Sequence, residues 1–255
     1  MNNDSRIFSD ETARALRSLL SGEASTRPFP SSISEKGEGG KFTPAGETLH
    51  HPGNTFICHI DPSCEFFAGL LAYQNDLKAS RFADFYAFLE PSSFHMTIFC
   101  GVSGDPLGVD GWPEGYPRET DLEVFNRDFA RRAAQLSCPD RFTVAAQGLQ
   151  KLGTVDMEGA GPHDRAALRS ARTALRALTG LHRDDFDRYR FHASLAYQHR
   201  WMTGADADAA IALANDLYQS HLADTGEIVL GPIEFCTFDT MQRFDRICIV
   251  GEGRG

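Results

Sequence analysis

Lysine is scarce in this chain. Lys36, Lys41, Lys78 and Lys151 are the only four among 25 basic residues, against 35 acidic ones. The formal charge is −10 and the isoelectric point about 5.3. A nucleic-acid coat neutralises phosphates with a basic surface, so that class is excluded, and general DNA binding with it. Any phosphate site has to be a local pocket in an acidic background. None of the six cysteines forms a C-x-x-C pair. Cys58, Cys100 and Cys248 lie inside apolar runs, where a free thiol behaves as a small hydrophobe, so a reduced, cytoplasmic protein is expected. No stretch approaches the roughly 20 apolar residues of a membrane span. The first residues are polar and acidic, without a basic region followed by an apolar run, so no secretory leader is expected either. Neither G-x-G-x-x-G nor G-x-x-x-x-G-K-[ST] occurs, which argues against dinucleotide and P-loop binding; no cofactor is expected.

What is present is an ordinary globular composition over 255 residues, 42% of them apolar, enough for a sizeable core. Residues 8–20 read as a short amphipathic helix with Ala13, Leu16, Leu19 and Leu20 on one side. Residues 21–47 turn to Ser, Gly, Pro, Thr and Glu, a linker or an arm laid over the body. The expected division is an N-terminal helix and extension over 1–47 and one bilobal domain over 48–255. Within the body, short apolar runs alternate with helical spacings. Strands are expected at 54–60, 94–101, 142–149, 154–157, 190–197, 227–230, 233–238 and 246–250. Helical stripes run through Phe66 to Leu77, Leu122 to Leu136, Leu168 to Leu178 (ending at Gly180) and 205–222. Residues 102–121 form a long Gly/Pro loop, a length often found in lids and binding loops. The fold class is α+β.

The informative feature is an echo. Residues 94–98 read Phe-His-Met-Thr-Ile and residues 191–195 read Phe-His-Ala-Ser-Leu. Of nine histidines, only His95 and His192 have a hydroxyl residue two places on. Both fall in expected strands, where residues i and i+2 share a face. His95 and Thr97 then point one way while Phe94, Met96 and Ile98 enter the core; His192 and Ser194 do the same in their strand. Two imidazoles and two hydroxyls facing one pocket suit phosphoester chemistry. One imidazole takes a proton from the attacking oxygen and the other gives one to the leaving oxygen. An ordinary histidine titrates at about 6.5, which keeps both forms accessible near neutrality.

These paired motifs resemble the 2H phosphoesterase superfamily, which includes LigT-like RNA 2′,3′-cyclic phosphodiesterases and 2′-5′ RNA ligases. The wording Pro-Ser-Ser-Phe-His-Met-Thr-Ile-Phe, with Pro52-Gly53-Asn54-Thr55 upstream, is similar to a bacterial branch described only as a domain of unknown function. The resemblance spans roughly residues 41–250. It implies a bilobal, pseudo-symmetric fold with two antiparallel sheets flanked by helices around a central cleft. It implies His95 and His192 as catalytic groups, Thr97 and Ser194 as phosphate ligands, and metal-independent hydrolysis of a cyclic 2′,3′-type or 2′-5′ phosphodiester. The partner would be a nucleotide or RNA-end phosphate, and the protein a monomer. A binding protein using the same pocket, and a 2′-5′ ligase, are the alternatives. Ala193 departs from the bulky aliphatic residue that many members carry after the histidine.

Other residues complete the expectations. Alternation puts Arg190 and Phe99 on the pocket face, where Arg190 could pair with phosphate and Phe99 stack on a base. Tyr189 and Tyr197 alternate away unless a bulge intervenes; Tyr197 could still reach the cleft edge. Arg165, Arg169, Arg172 and Arg176 share a helix face read as solvated. His50, His51 and His59 do not make a metal site by their spacing, and none is expected. Trp112 and Tyr116 could cap the substrate, and Lys41 and Arg243 could touch an anion.

Overall fold

A computed structural model describes residues 7–254, so residues 1–6 and 255 of the division expected at 47/48 lie outside the described residues. Helix α1 (Asp10–Ser21) starts where Ser9 Oγ accepts from Thr12 N and ends at Gly22, whose φ of 70° suits glycine. Leu16 and Leu20 are buried, with α1 against α5 (Gly204–His221), whereas Leu19 is exposed. The arm that follows lies on the body. Ile33 bridges to Phe42, Phe42 bridges to Thr48, and Phe42 is wholly buried with its ring 5.3 Å from that of Tyr197.

Two strand–helix–strand units carry the fold. The first is β1 (Gly53–His59), α2 (Glu65–Ala79) and, after the short β2 (Tyr86–Phe88), β3 (His95–Ser103). The second follows α3 (Leu122–Ala133) and β4 (Phe142–Lys151): it is β5 (Thr154–Gly159), α4 (Pro162–Thr179) and β6 (Phe191–Ser194). Then come β7 (Ala196–Gln198), α5, β8 (Glu227–Leu230), β9 (Glu234–Phe238) and β10 (Asp245–Ile249). Each unit pairs its two strands antiparallel, and each ends on a strand bearing one His-x-hydroxyl motif. The sheet order is β10-β9-β1-β3-β6-β5-β4-β8, so β3 and β6 are central neighbours, joined through one residue pair, Met96 with Ala193. The two halves are thus four strands each and meet at the motifs. β2 and β7 form a second, two-stranded sheet.

Burial explains the arrangement. Strand β1 is buried on both faces from Gly53 to Cys58, matching its apolar run. Phe66, Leu70, Tyr73 and Leu77 form the inner stripe of α2, and Leu168, Ala171, Leu175 and Leu178 that of α4. Gly180, with φ 68°, ends α4 as expected. The run expected as one strand over 190–197 is two. At Leu195 the chain leaves the large sheet, its N–H bonding Gly153 O at 2.8 Å, and β7 pairs with β2 instead. No helix among the described residues is long and apolar enough to cross a membrane.

Candidate active site

The central pair of strands brings the two motifs together. His95, Thr97, His192 and Ser194 line one cleft of about 240 Å³. Each imidazole is held the same way. His95 Nδ1 lies 2.6 Å from Ser93 O, and His192 Nδ1 lies 2.9 Å from Arg190 O. A carbonyl only accepts, so Nδ1 carries the hydrogen in both rings and Nε2 holds the lone pair. In both motifs the orienting carbonyl sits two residues before the histidine. His95 Nε2 is 3.2 Å from Thr97 Oγ1, which can donate to it.

Alternation along β3 fails after Thr97. Ile57 pairs with Thr97 and Phe56 with Phe99, so Ile98 is an extra residue, a β-bulge. The bulge shifts the phase by one. Phe99 turns into the core, 1% exposed, and Cys100 takes the exposed, cleft-lining place. The expected base-stacking position of Phe99 is therefore corrected: its ring faces Phe186 at 6.4 Å. The bulge leaves the Ile98 carbonyl for Arg172, whose Nη1 donates to it at 2.6 Å. Arg172 is buried, its guanidinium carbon 3.8 Å over the Tyr189 ring and 5.6 Å over that of Phe99. The solvated face expected of the four arginines is thus corrected at Arg172. Arg176 lies over the Phe186 ring at 4.0 Å, Arg165 bonds Gly159 O at 3.2 Å, and Arg169 is exposed.

Arg190 does not reach the cleft with its side chain. It forms an exposed ion pair with Asp156, so its part in the site is its carbonyl beneath His192. Tyr197 does line the cleft, because the strand break at Leu195 resets its direction; its ring lies 5.3 Å from Lys41 Nζ. Tyr189 also lines it, its ring 5.9 Å from that of His192. Lys41 arrives on the N-terminal arm. His51 is a cleft residue that the sequence did not single out as one. It is buried, Nδ1 is 3.2 Å from Gly40 O, and Nε2 has no hydrogen-bond partner among the described residues. Asp110, from the long loop, is the carboxylate of the lining.

Electrostatics follow from this packing. Burial pulls His95 down to about 3; the bond to Ser93 opposes this, and His59, His192 and Lys41 add to it. Burial also lowers His192, opposed by the Arg190 carbonyl and Asp156 and reinforced by Lys151 and Lys41. His51 and His199 are lowered too, burial first. A lowered histidine stays neutral in the folded chain while the unfolded chain takes up protons below about pH 6.5. Stability is therefore full above about pH 7 and falls as pH drops through 6.5. Melting temperatures at pH 5, 6 and 7.5 check this; a curve flat over that range contradicts it.

Several expected residues lie elsewhere. Trp112 and Tyr116 cap α3 rather than substrate. Their rings sit 5.2 and 4.9 Å from Phe125, Trp112 Nε1 bonds Tyr116 O at 3.0 Å, and the Tyr116 hydroxyl bonds Asp128. Arg243 pairs with Asp245 at 2.6 Å and His50 with Asp105 at 3.6 Å. His59 bonds Glu234 Oε2 at 3.0 Å, and with Cys236 these supply three metal-type donors within 4.8 Å of one another. The last two come from β9, far along the chain, which histidine spacing does not register.

Comparison with known proteins bears on the fold and on the segment that holds the first motif. A family model labelled 2H-phosphodiesterase and described as a domain of unknown function (DUF1868) matches residues 41–155. That segment holds His95 and Thr97; His192 and Ser194 lie beyond it. The crystal structure of ATU0111 from Agrobacterium tumefaciens, a conserved protein of unknown function, superposes with a TM-score of 0.83 at 23% identity, covering 96% of this chain and 100% of that one. It shows a shared fold. LigT of E. coli, solved with NADP+, gives 0.44 at 11% identity over 79% of this chain and 98% of that one, too low to carry an argument. No curated protein matches. Residues 41–155 of this chain, which hold the first of the two motifs, match the 2H-phosphodiesterase family model.

Proposed function

We propose that this protein is a phosphoesterase that opens a cyclic 2′,3′-type or a 2′-5′ phosphodiester of a nucleotide or RNA end. The observation that carries the reading is the presentation of two Nε2 atoms and two hydroxyls to one cleft, each ring held through Nδ1 by a backbone carbonyl. Thr97 and Ser194 hold non-bridging oxygens, and Lys41 supplies positive charge that an acidic protein otherwise lacks there. His95 is the base. Burial keeps it neutral, so its lone pair takes a proton from water as the new P–O bond forms. His192 is the acid. It acquires its proton with the anionic substrate, helped by the nearby Asp156 carboxylate, and gives it to the ribose oxygen as the P–O bond breaks. The product is a phosphomonoester, and proton exchange with solvent restores the pair.

The test is hydrolysis of the four nucleoside 2′,3′-cyclic phosphates, a 3′,5′-cyclic control and an RNA with a cyclic end. Turnover of the 2′,3′-cyclic substrates that both histidine variants lose is expected; saturable binding without turnover would instead make this a binding protein. Activity is expected to be unchanged by EDTA, because the proton transfers use imidazoles. Loss in EDTA with recovery on adding Zn²⁺ would instead put a metal on His59, Glu234 and Cys236.

A further inference from the structure

The cleft does not end at Tyr197. A groove of about 610 Å³ continues from it under the N-terminal arm, and the two share Lys41, His192, Ser194 and Tyr197. Beyond the shared residues the groove is walled by Lys151, Tyr86 and Trp201, with α1 and residues 22–32 as its roof. Three features there point to an anionic ligand. No ion pair to Lys41 or Lys151 is found among the described residues, although acidic residues outnumber basic ones by 35 to 25. The two amines are close enough that Lys41 lowers Lys151, after the larger effect of burial. Finally, Tyr86 lines this groove, and its buried hydroxyl has no hydrogen-bond partner among the described residues. A buried hydroxyl left without a partner is destabilising, so it is a donor in search of an acceptor.

We propose that the substrate extends past the scissile phosphate into this groove, where Lys151 and the Tyr86 hydroxyl bind the next phosphate of an oligonucleotide end. The inference rests on the phosphoesterase reading for the position of the first phosphate. It makes a polyanionic chain end, rather than a free mononucleotide, the preferred substrate. The arm is then part of the site, since it brings Lys41 and roofs the second subsite. Two phosphates separated by one nucleoside also explain why the cationic groups are few but converge: they face a short stretch of backbone and not a duplex.

Calorimetric titration with uridine 3′-phosphate and uridine 3′,5′-bisphosphate tests this. The bisphosphate is expected to bind at least tenfold tighter. That gain falls to twofold or less in Lys151→Ala and shrinks in Tyr86→Phe, which keeps the ring and its packing. Lys36→Ala, the same loss of charge at an exposed arm position, keeps the gain. Equal affinities in the parent protein, a gain that survives Lys151→Ala, or no binding of either ligand overturns the proposal. The two readings fail separately. Turnover with equal affinities leaves the phosphoesterase and removes the second subsite; a tenfold gain without turnover leaves the groove and removes the chemistry.

Discussion

Replacing His95 or His192 by alanine is expected to lower kcat/KM toward a 2′,3′-cyclic nucleotide by about 10²–10⁴-fold in each case, the range a positioned acid or base contributes. Neither change removes core packing. Both rings face the cleft rather than the core, and their neighbours Phe94, Met96, Phe191 and Ala193 carry the strands into the core. Melting curves near those of the parent accompany the loss. Sulfur in place of the leaving oxygen separates the two roles, because a thiolate departs without a proton. On that substrate His192→Ala recovers most of its rate and His95→Ala does not. The opposite pattern exchanges the roles; parent-like activity in both variants removes the histidines from the chemistry.

The second large effect is on stability. Arg172→Ala is expected to cost about 3–5 kcal/mol, because it orphans the Ile98 carbonyl and empties the space among Tyr189, Phe186 and Phe99. For a chain of this size that is a fall of about 10 °C in Tm, at about 2–4 °C per kcal/mol. Arg172→Met fills much of the space but lacks the donor, so about 1–3 kcal/mol is expected. Arg169→Ala, one turn away and exposed, stays within about 0.5 kcal/mol. Chemical denaturation of the three variants gives the ranking, and an Arg172→Ala protein as stable as Arg169→Ala would place Arg172 with the solvated residues after all.

The motif strands were legible because their period is two and their flanks are apolar. His95 with Thr97, and His192 with Ser194, could each be put on one face of a strand from that period alone. What was not legible depends on where the period breaks. Nothing in Thr97-Ile98-Phe99-Cys100 marks Ile98 as the extra residue, since the bulge is set by pairing with Phe56 and Ile57 on another strand. Phe99 and Cys100 therefore exchanged places. The break at Leu195 is of the same kind, made by Gly153 and by β2, and it decided the direction of Tyr197. Arg172 sits at helical spacing with true surface arginines, and only the freed carbonyl of the bulge distinguishes it. Trp112 and Tyr116 found Phe125 and Phe129, which a helix 10 or so residues on supplies. Lys41 came into the cleft on the arm and His51 on the irregular stretch just before β1, neither of which has a period to read.

The two halves of the large sheet touch through Met96 and Ala193 and through no other ladder pair. That contact works as the pivot of a caliper, with the two imidazoles as its jaws. The separation of the two rings therefore depends on one residue pair rather than on a long ladder. Ala193 and Met96 are both wholly buried there. A bulkier side chain there would overpack the core beneath both rings. Residue 193 is then one buried position from which both rings, on opposite halves of the sheet, can be disturbed together.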